Sequence, residues 1–330
     1  MNVINIRGSA RAVPNKVKYS SEIDCELGKE EGFVAKKTGI ETRYFNTDGT
    51  AAELAATAIR QALINAEMAY ADLDVIIAAS GTPQQIIPCN ASLIAEQFLA
   101  EKHNIPCFDV NATCLSFISA FEVAAAFLET GKFKNILVVS AESGDGALNK
   151  GHYESYALIG NAAAAYILSN DSDRGQRFEV IDTKMCTYAE FSHAAEIRAG
   201  GSALYLAEKT NKEDYYFDMN GIALMKAMLK NMPDYMDDFL AKNNIKMQDV
   251  NHFVPHQASG PGINILAKAL KIPKARIVNI IRDYGNTIAA AIPFAFDYLL
   301  EQESVASGDY VMLIGTGAGV SIGTILLRKV

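Results

Sequence analysis

The segment DVNATCLSFISAF (residues 109–121) passes from the end of an apolar run, through small and polar residues, into an apolar helical pattern. Cys114 falls where that helix is predicted to begin. A cysteine at a helix N-terminus faces unpaired backbone N–H groups and the positive end of the helix dipole, and both lower the thiol pKa. The position therefore indicates a nucleophile, while a buried structural cysteine is the alternative that a single Cys leaves open.

The chain around this segment follows one pattern twice. Each half has a short apolar strand, a loop into an Ala-rich helix and two further apolar strands. This repetition predicts an α/β protein of two related βα halves about a pseudo-twofold axis, each with a mostly apolar mixed sheet. In this comparison Asn286 opens the second helix as Cys114 opens the first. We expect the halves to join near residues 169–180, with domains 1–172 and 173–330. The paired segments are 72–78 with 249–255, 109–114 with 280–286, 136–140 with 311–315, and 162–168 with 321–327.

Outside the repeat, periodicity predicts a helix from residue 50 or 51 to residue 66, and a short strand over 3–7 followed by a loop over 9–15. Pro233 separates two predicted helices, 220–231 and 233–243, because proline interrupts helical hydrogen bonding. Residues 169–215 have the least regular pattern of the chain.

Composition narrows the class of protein. Half of the 330 residues are hydrophobic and 21% are charged, which is typical of a globular chain with a large core. The net charge of −8 and the lack of a Lys/Arg run argue against a nucleic-acid partner. Five scattered cysteines without a CxxC pair favour a reducing compartment over disulfides or a metal site. With no signal-peptide pattern and no membrane-length apolar run, we expect a cytoplasmic protein with no membrane partner.

Three stretches of the second half carry unusual chemistry. His256 directly follows an apolar strand, Asn286 stands at a helix start, and the glycine-rich turn GTGAG (315–319) follows another strand. Taken singly, these features fit a hydrogen-bonded strand-end histidine, a helix cap and a tight turn. The carboxyl ends of buried strands are where α/β folds place their sites, and the repeat aims two helix starts at one interface. A nucleophilic cysteine with a histidine and an asparagine is a recurring catalytic grouping.

These motifs resemble those of the β-ketoacyl-acyl-carrier-protein synthase III family of the thiolase superfamily. The resemblance runs in order along nearly the whole chain. It implies a thiolase-like fold, with the two halves in a five-layered α-β-α-β-α arrangement. The matching motifs are Gly8-x5-Pro14, Thr38-Gly-Ile40 with Arg43, Asp109-Val-x3-Cys114, Val254-Pro-His-Gln-Ala258, Tyr284-Gly-Asn-Thr287 and Gly315-x-Gly-x-Gly319.

The resemblance also implies a mechanism and partners. Cys114 would accept an acyl group from a thioester, and His256 and Asn286 would hold the carbonyl of a malonyl-type thioester during decarboxylation. The backbone N–H groups of Cys114 and Ala318 would form the oxyanion hole of acyl transfer. The family implies coenzyme A (CoA) or acyl-carrier-protein thioesters as substrates, no metal or other cofactor, and a homodimer. Thiolases differ because they need a second cysteine near the C-terminus, and the larger elongating synthases use two histidines.

Departures from the family pattern concern substrate recognition. Phe33 and Lys37 stand where the family often has a Trp and an Arg around the CoA adenine. Ile87 stands where primary-metabolism members often have a Phe, on the partner-supplied wall of the acyl pocket. We also place Gly317 and Gly319 among the substrate-binding residues, and no Arg follows the His-Gln-Ala motif to dock a carrier protein. These differences predict a condensing enzyme of specialised metabolism or a cofactor pathway.

Two other functions fit the same motifs. One is an acyltransferase of similar architecture that passes the acyl group to an oxygen or nitrogen nucleophile, or condenses without decarboxylation. The other, from a different class, is a catalytically inactive partner subunit.

Overall fold

A computed structural model describes residues 2–46, 48–171, 174–205, 207–302 and 304–330. The strands are β1 Asn2–Ala12, β2 Lys16–Tyr19, β3 Thr42–Phe45, β4 Val75–Ala78, β5 Cys107–Asp109, β6 Asn135–Glu142, β7 Ala162–Ser169, β8 Gln176–Thr187, β9 Ala195–Glu196, β10 Asp218–Met219, β11 Val250–Pro255, β12 Tyr310–Gly317 and β13 Ser321–Lys329. The α-helices are α1 Ser20–Glu26, α2 Phe33–Thr38, α3 Ala51–Ala66, α4 Asn90–Glu96, α5 Ser116–Glu129, α6 Tyr153–Tyr156, α7 Gly221–Lys242, α8 Gly260–Ala269, α9 Ile281–Tyr284 and α10 Ala291–Glu301.

The sheet repeats one strand order twice. Among the described residues, nine strands join in the order β11-β12-β13-β8-β1-β7-β6-β4-β5. Outward from the centre, the first two pairings, β1 with β7 and β7 with β6, are antiparallel. The next two, β6 with β4 and β4 with β5, are parallel. The other side repeats this sequence from β8 through β13 and β12 to β11, and a parallel bridge between Phe253 and Ile277 takes the place of the fifth strand. The predicted duplication is therefore confirmed strand by strand.

The two half-sheets are hydrogen-bonded to each other. β1 and β8 pair antiparallel from Asn2 opposite Val180 to Ile6 opposite Gln176. The prediction of a separate sheet in each half was therefore wrong at this edge, because the first strands of the two halves complete each other's ladder. The predicted boundary between residues 172 and 173 lies outside the described residues.

Five layers follow from which faces are buried. Helices α5 and α10 pack between the half-sheets, in a core that also holds inward side chains from β1, β4, β6, β7, β8, β11, β12 and β13. Helices α3 and α4 cover the outer face of the first half-sheet, and α7 and α8 cover that of the second. This arrangement is the thiolase-like α-β-α-β-α fold that the family resemblance implied.

The apolar runs in the strands have a simple cause. Successive residues of β7 alternate between the central core and the outer core, and every residue of this strand is buried. Because side chains point alternately to the two faces of a strand, a sheet covered by helices on both faces needs continuous apolar strands.

Three local predictions were wrong. Helix α7 runs unbroken through Pro233, since its apolar stripe from Met232 to Leu240 is buried against the second half-sheet along its length. Strand β1 continues to Ala12, so the predicted loop over 9–15 begins later. Strand β8 is a twelve-residue strand inside the segment that has the least regular sequence pattern. In the described ranges, no helix has the length and apolar character needed to cross a bilayer.

Candidate active site

Cys114 lies in a tight turn between β5 and α5. Thr113 has a left-handed backbone with φ 53°, and its N–H donates to the side-chain oxygen of Asn111 at 2.9 Å. The N–H of Leu115 donates to the carbonyl of Ala112 at 3.1 Å, and α5 begins at Ser116. Cys114 therefore precedes the helix by two residues, close to the predicted helix start.

The same turn recurs at the start of the second central helix. Ile288 also has φ 53°, and its N–H donates to the side-chain oxygen of Asn286 at 2.9 Å. The N–H of Ala290 donates to the carbonyl of Thr287 at 3.0 Å, as Leu115 does to Ala112.

These matching contacts correct the register of the repeat. Asn286 corresponds to Asn111, and the counterpart of Cys114 is Ala289. The prediction that paired Asn286 with Cys114 was thus wrong by three residues. The corrected pairing also equalises the spacing to the next strand, because Cys114 to Ser140 and Ala289 to Gly315 are both 26 positions, 140 − 114 and 315 − 289.

Asn286 belongs to the second half but is held by the first. Its backbone N–H donates to the carbonyl of Leu158 at 2.8 Å, and its own carbonyl accepts from the N–H of Gly160 at 2.9 Å. Because its side-chain oxygen already accepts the Ile288 N–H, the amide group is oriented with its NH2 as the donor end.

His256 follows β11 directly and is buried, with 8% of its surface exposed. Its backbone N–H donates to Ile314 at 2.8 Å and so extends the ladder between β11 and β12. A Cβ at Gly315 would lie 2.9 Å from the His256 Cβ, so this close approach of the two strands requires a glycine. Burial lowers the pKa of His256 to about 4, and the imidazole is neutral at physiological pH. Its Nδ1 has no hydrogen-bond partner among the described residues.

Gln257, a residue without a predicted role, anchors the histidine loop. It is fully buried, and its amide nitrogen donates to the carbonyls of Pro255 at 2.8 Å and Val278 at 3.1 Å. Its oxygen accepts the N–H of Ile280 at 3.0 Å. Gln257 therefore ties the His256 loop to the segment that leads through α9 to Asn286.

The glycine-rich turn between β12 and β13 contacts the nucleophile turn. The Thr113 hydroxyl donates to the carbonyl of Ala318 at 3.3 Å, and a Cβ at Gly317 would lie 2.8 Å from that hydroxyl. The backbone N–H of Ala318 also acts on the Cys114 thiol and favours a lower pKa. The positive φ in this turn, 133°, belongs to Gly319, so the Ala318 side chain causes no backbone strain there.

The thiol of Cys114 does not have the lowered pKa that the helix start predicted. Burial raises the pKa of Cys114 to about 12, the negative charge of Glu142 adds to this rise, and the backbone N–H groups of Ala318 and Cys114 oppose it. The prediction was wrong because removal from water and a buried carboxylate outweigh the helix dipole. In the free protein, Cys114 is a neutral thiol.

Glu142 is the charged group that the motifs did not indicate. It ends β6, is fully buried, and accepts the backbone N–H groups of Gly81 at 2.7 Å and Thr82 at 2.9 Å. Burial raises the pKa of Glu142 to about 7. The signal was available in the sequence, since a lone acid closes a mostly apolar strand that ends at this edge of the sheet.

The remaining predicted residues lie farther out. Phe33 makes an edge-on contact with Tyr153, with ring centroids 5.7 Å apart, and the Lys37 ammonium lies 6.0 Å from the Phe33 ring. The carbonyl of Gly319 accepts from the Ser192 hydroxyl at 3.2 Å. Ile87 is 81% exposed and projects from the surface instead of lining the site of its own chain. Within the described ranges, no cluster of three or more His, Cys, Asp or Glu residues could hold a metal ion.

The duplicated βα halves, closed around two central helices with paired turns at their interface, define a thiolase-fold enzyme. The chain matches the family described as 3-oxoacyl-[acyl-carrier-protein (ACP)] synthase III over residues 108–189 and the C-terminal part of that family over residues 240–329. Beta-ketoacyl-[acyl-carrier-protein] synthase III of Aquifex aeolicus (strain VF5) is 30% identical, over 98% of each chain. The protein of that name from Clostridium perfringens (strain ATCC 13124) is 31% identical, over 96% of each chain. The chain belongs to the β-ketoacyl-acyl-carrier-protein synthase III family, and it is an acyltransferase of the condensing type.

Solved structures agree with this assignment. The crystal structure of 3-oxoacyl-[acyl-carrier-protein] synthase III from Aquifex aeolicus VF5 superposes with a TM-score of 0.86 at 29% identity, covering 98% of this chain and 99% of that one. A crystal structure of a single-residue variant of Xanthomonas campestris OleA, at 21% identity and a TM-score of 0.86, shares the fold and covers 99% of this chain and 97% of that one.

Proposed function

We propose that the chain loads an acyl group from a thioester onto Cys114 and condenses it with a malonyl thioester in a decarboxylative Claisen reaction. The observation that carries this proposal is the contact of the glycine-rich turn with the Cys114 turn, in which the backbone N–H of Ala318 favours negative charge at the sulfur and lowers the pKa of the thiol. That donor lies where a carbonyl oxygen bound at the sulfur would develop negative charge, and such preorganised donors stabilise the tetrahedral intermediate of acyl transfer. The N–H of Cys114 is the second donor of this oxyanion hole.

In the first step the Cys114 sulfur attacks the thioester carbonyl, a new C–S bond forms, and the carrier thiol leaves with the proton. In the second step the malonyl C–C bond to the carboxylate breaks, CO₂ leaves, and its electron pair forms an enolate. The enolate carbon attacks the acyl carbonyl, the C–S bond to Cys114 breaks, and the sulfur takes up a proton. Neutral N–H donors from His256 and Asn286 stabilise the enolate oxygen without adding a net charge to the buried site.

We propose that the CoA part of the substrate reaches the site from the side of Phe33. An aromatic pair flanked by ammonium groups, Phe33 with Tyr153, Lys29 and Lys37, offers a ring face and positive charge to the adenine nucleotide of CoA. Beside it lies a polar cleft of about 440 Å³ lined by Glu154, His193, Asp218, Asn220 and their neighbours. His193 of this cleft follows Ser192, whose hydroxyl donates to the carbonyl of Gly319 in the glycine-rich turn.

We further propose a cytoplasmic homodimer that acts in specialised metabolism, with CoA or a carrier protein delivering the acyl group. The support is the departure of Phe33, Lys37 and Ile87 from the pattern of the family's primary-metabolism members. These three positions concern recognition of the substrate, whereas the residues proposed for the chemistry keep the family motifs.

The test is mass spectrometry of the intact protein with a panel of acyl-CoA primers, followed by measurement of CO₂ release from malonyl-CoA and malonyl carrier protein. We expect an acyl adduct that is absent from Cys114→Ala. His256→Ala and Asn286→Ala should keep acylation within about threefold and lose decarboxylation by about 100-fold or more, the usual cost of removing an oxyanion donor. His252→Ala, on the strand that leads to His256 but paired with Asp309, is the matched control.

Each result separates the candidate functions. An adduct without CO₂ release would indicate an acyltransferase to another nucleophile. No adduct on Cys114 with any primer would contradict both enzymatic functions. Equal loss of acylation and decarboxylation in the His256 variant would show that its proposed role is wrong.

A further inference from the structure

Glu142 is a buried carboxylate that the proposed reaction does not use. It is the last residue of β6, has no exposed surface, and follows five apolar residues and one serine of the strand. Burying a carboxylate is costly unless hydrogen-bond donors replace the lost water. The donors around Glu142 therefore indicate what this residue holds in place.

The donors come from both halves of the molecule. The backbone N–H groups of Gly81 and Thr82 and the Thr82 hydroxyl all donate to the carboxylate. The backbone N–H of Ala289, in the second half, also favours the ionised carboxylate and lowers the pKa of Glu142 against the effect of burial. One side chain thus joins the end of β6, the loop after β4 and the turn before α10.

Ala289, which faces Glu142, lies in a strained turn. Ile288, the preceding residue, has φ 53°, a left-handed conformation that a β-branched residue adopts only when its surroundings enforce it. The N–H of Ile288 orients the side chain of Asn286. Fixing Ala289 therefore also fixes the direction in which the Asn286 amide points.

The other donors hold the Cys114 turn against the Asn286 turn. A Cβ at Gly81 would lie 3.1 Å from Ile288 Cγ2 and 3.4 Å from the carbonyl group of Thr113. Gly81 is thus wedged between the two left-handed residues while its N–H is bound to Glu142. The carboxylate is also close enough to Cys114 for its charge to act on the thiol.

We propose that Glu142 is a positioning residue for the decarboxylation step, which holds the Asn286 turn in register with the Cys114 turn across the interface of the two halves. This role rests on the proposed function. It acts on the donor geometry at the enolate oxygen, and it acts on Cys114 itself only through the charge of the carboxylate.

The test compares Glu142→Gln with Glu142→Asp. Glutamine keeps the shape but presents an NH2 group to backbone N–H donors, whereas aspartate keeps both acceptor oxygens on a shorter side chain. We expect Glu142→Gln to lower kcat for malonyl decarboxylation about 10- to 100-fold, with KM within about threefold, the cost of a small misplacement of a catalytic group. Glu142→Asp should retain more activity, whereas a space-filling role predicts the reverse order.

A second readout follows from charge. The negative charge of Glu142 raises the pKa of Cys114, whereas Gly81, Thr82 and Ala289 carry no ionisable side chain. Removing the negative charge lowers the Cys114 pKa, so iodoacetamide should alkylate Cys114 faster in Glu142→Gln than in the wild type at pH 8. Glu179→Gln, a buried carboxylate on β8, is the matched control and should behave as the wild type in both assays.

Thermal unfolding checks that the variants fold. If Glu142→Gln does not fold, Thr82→Val replaces it, because this change removes one donor and keeps the carboxylate; we expect a smaller loss of decarboxylation in the same direction. Wild-type decarboxylation in Glu142→Gln, or higher activity in Glu142→Gln than in Glu142→Asp, would overturn the positioning role. A wild-type protein without acylation or CO₂ release would instead overturn the proposed function and this role with it.

Discussion

His256 and Glu142 are two buried ionisable residues whose pKa values move in directions that oppose ionisation. Burial lowers the pKa of the His256 imidazole to about 4 and raises that of the Glu142 carboxyl to about 7. Desolvation disfavours the charged form of either group, so a base becomes a weaker base and an acid a weaker acid. The site therefore disfavours charge at pH 7, which suits a reaction that creates its own negative charge on an enolate oxygen.

These two shifts have opposite effects on stability. Between pH 4 and 6.5, unfolded His256 is protonated and the folded residue is not, so folding loses stability as the pH falls. Between pH 4.5 and 7, folded Glu142 is protonated and the unfolded residue is not, so folding loses stability as the pH rises. Each group changes the free energy of unfolding by about 1.4 kcal/mol per pH unit, and the two changes cancel between about pH 4.5 and 6.5.

When either residue is replaced, the free energy of unfolding should show the pH dependence that the other residue causes. We expect the free energy of unfolding of Glu142→Gln to fall by about 3 kcal/mol relative to the wild type when the pH is lowered from 6.5 to 4.5. His256→Gln should gain stability relative to the wild type over the same range. Denaturant titrations at pH 4.5, 5.5 and 6.5 measure both, and parallel curves for all three proteins would show that these groups titrate normally.

At the scale of elements, α7 carries Pro233 in its interior, where proline has no N–H to donate to the carbonyl of Leu229. Proline in a helix interior costs about 3 kcal/mol, and its restriction of the unfolded chain returns up to about 1 kcal/mol. Burial of the stripe that includes Tyr235, Met236 and Phe239 offsets this cost and keeps the helix continuous.

We therefore expect Pro233→Ala to raise the free energy of unfolding by about 1–2 kcal/mol, because the restored N–H completes the helix. Chemical denaturation measures this change, and Lys230→Ala on the exposed face of α7 should stay within about 0.5 kcal/mol of the wild type. A destabilised Pro233→Ala would show that packing of the proline ring outweighs the missing hydrogen bond.

The sequence predicted best those elements whose own residues carry the pattern. Helix α3 was predicted to run from residue 50 or 51 to residue 66 and is observed over 51–66, because its apolar positions follow the helical period and Thr50 caps its first turn. Strand β7 was predicted because burial of both of its faces gives it a continuous apolar sequence. Strand β8 was missed because polar and charged residues interrupt its run, and it is a strand because β1 and β13 lie on either side of it. Pairing partners distant in sequence leave little trace in a local pattern.

The candidate site shows the same limit. Motifs identified Cys114, His256 and Asn286, but Glu142 and Gln257 act through backbone groups far away in sequence, which no spacing reveals. The Cys114 pKa depends on how deeply the turn is buried and on the Glu142 charge beside it. The helix start alone therefore predicted the wrong direction.

At the scale of the whole molecule, the surface near β5 has the features of a subunit interface. β5 ends the order of the nine described strands and so presents backbone groups at a sheet edge. The loop before α4 carries Ile86 and Ile87, which are 58% and 81% exposed. A second copy pairing at this edge would cover both features, and the family resemblance implies that Ile87 then reaches the acyl pocket of the partner.

We expect light scattering to give twice the chain mass of 35.7 kDa. Ile87→Phe should shift the preferred primer to shorter acyl chains, and Ile87→Ala to longer ones, because this side chain would limit the depth of the pocket. Ile64→Phe and Ile64→Ala, at an exposed isoleucine of α3, are matched controls that should leave the primer profile unchanged. A monomeric mass would contradict the shared pocket.

Mixed dimers decide which chain supplies the wall. In a dimer of Cys114→Ala with Ile87→Phe, the one intact cysteine lies on the Ile87→Phe chain and faces the unmodified Ile87 of the other chain. If the wall comes from the partner, this mixed dimer should accept the same primers as the wild type, at half its number of active sites. If the wall belongs to the same chain, the profile should stay that of Ile87→Phe. The intact cysteine and the altered isoleucine share one chain, so the primer profile alone distinguishes a pocket built by two subunits from one built by a single chain.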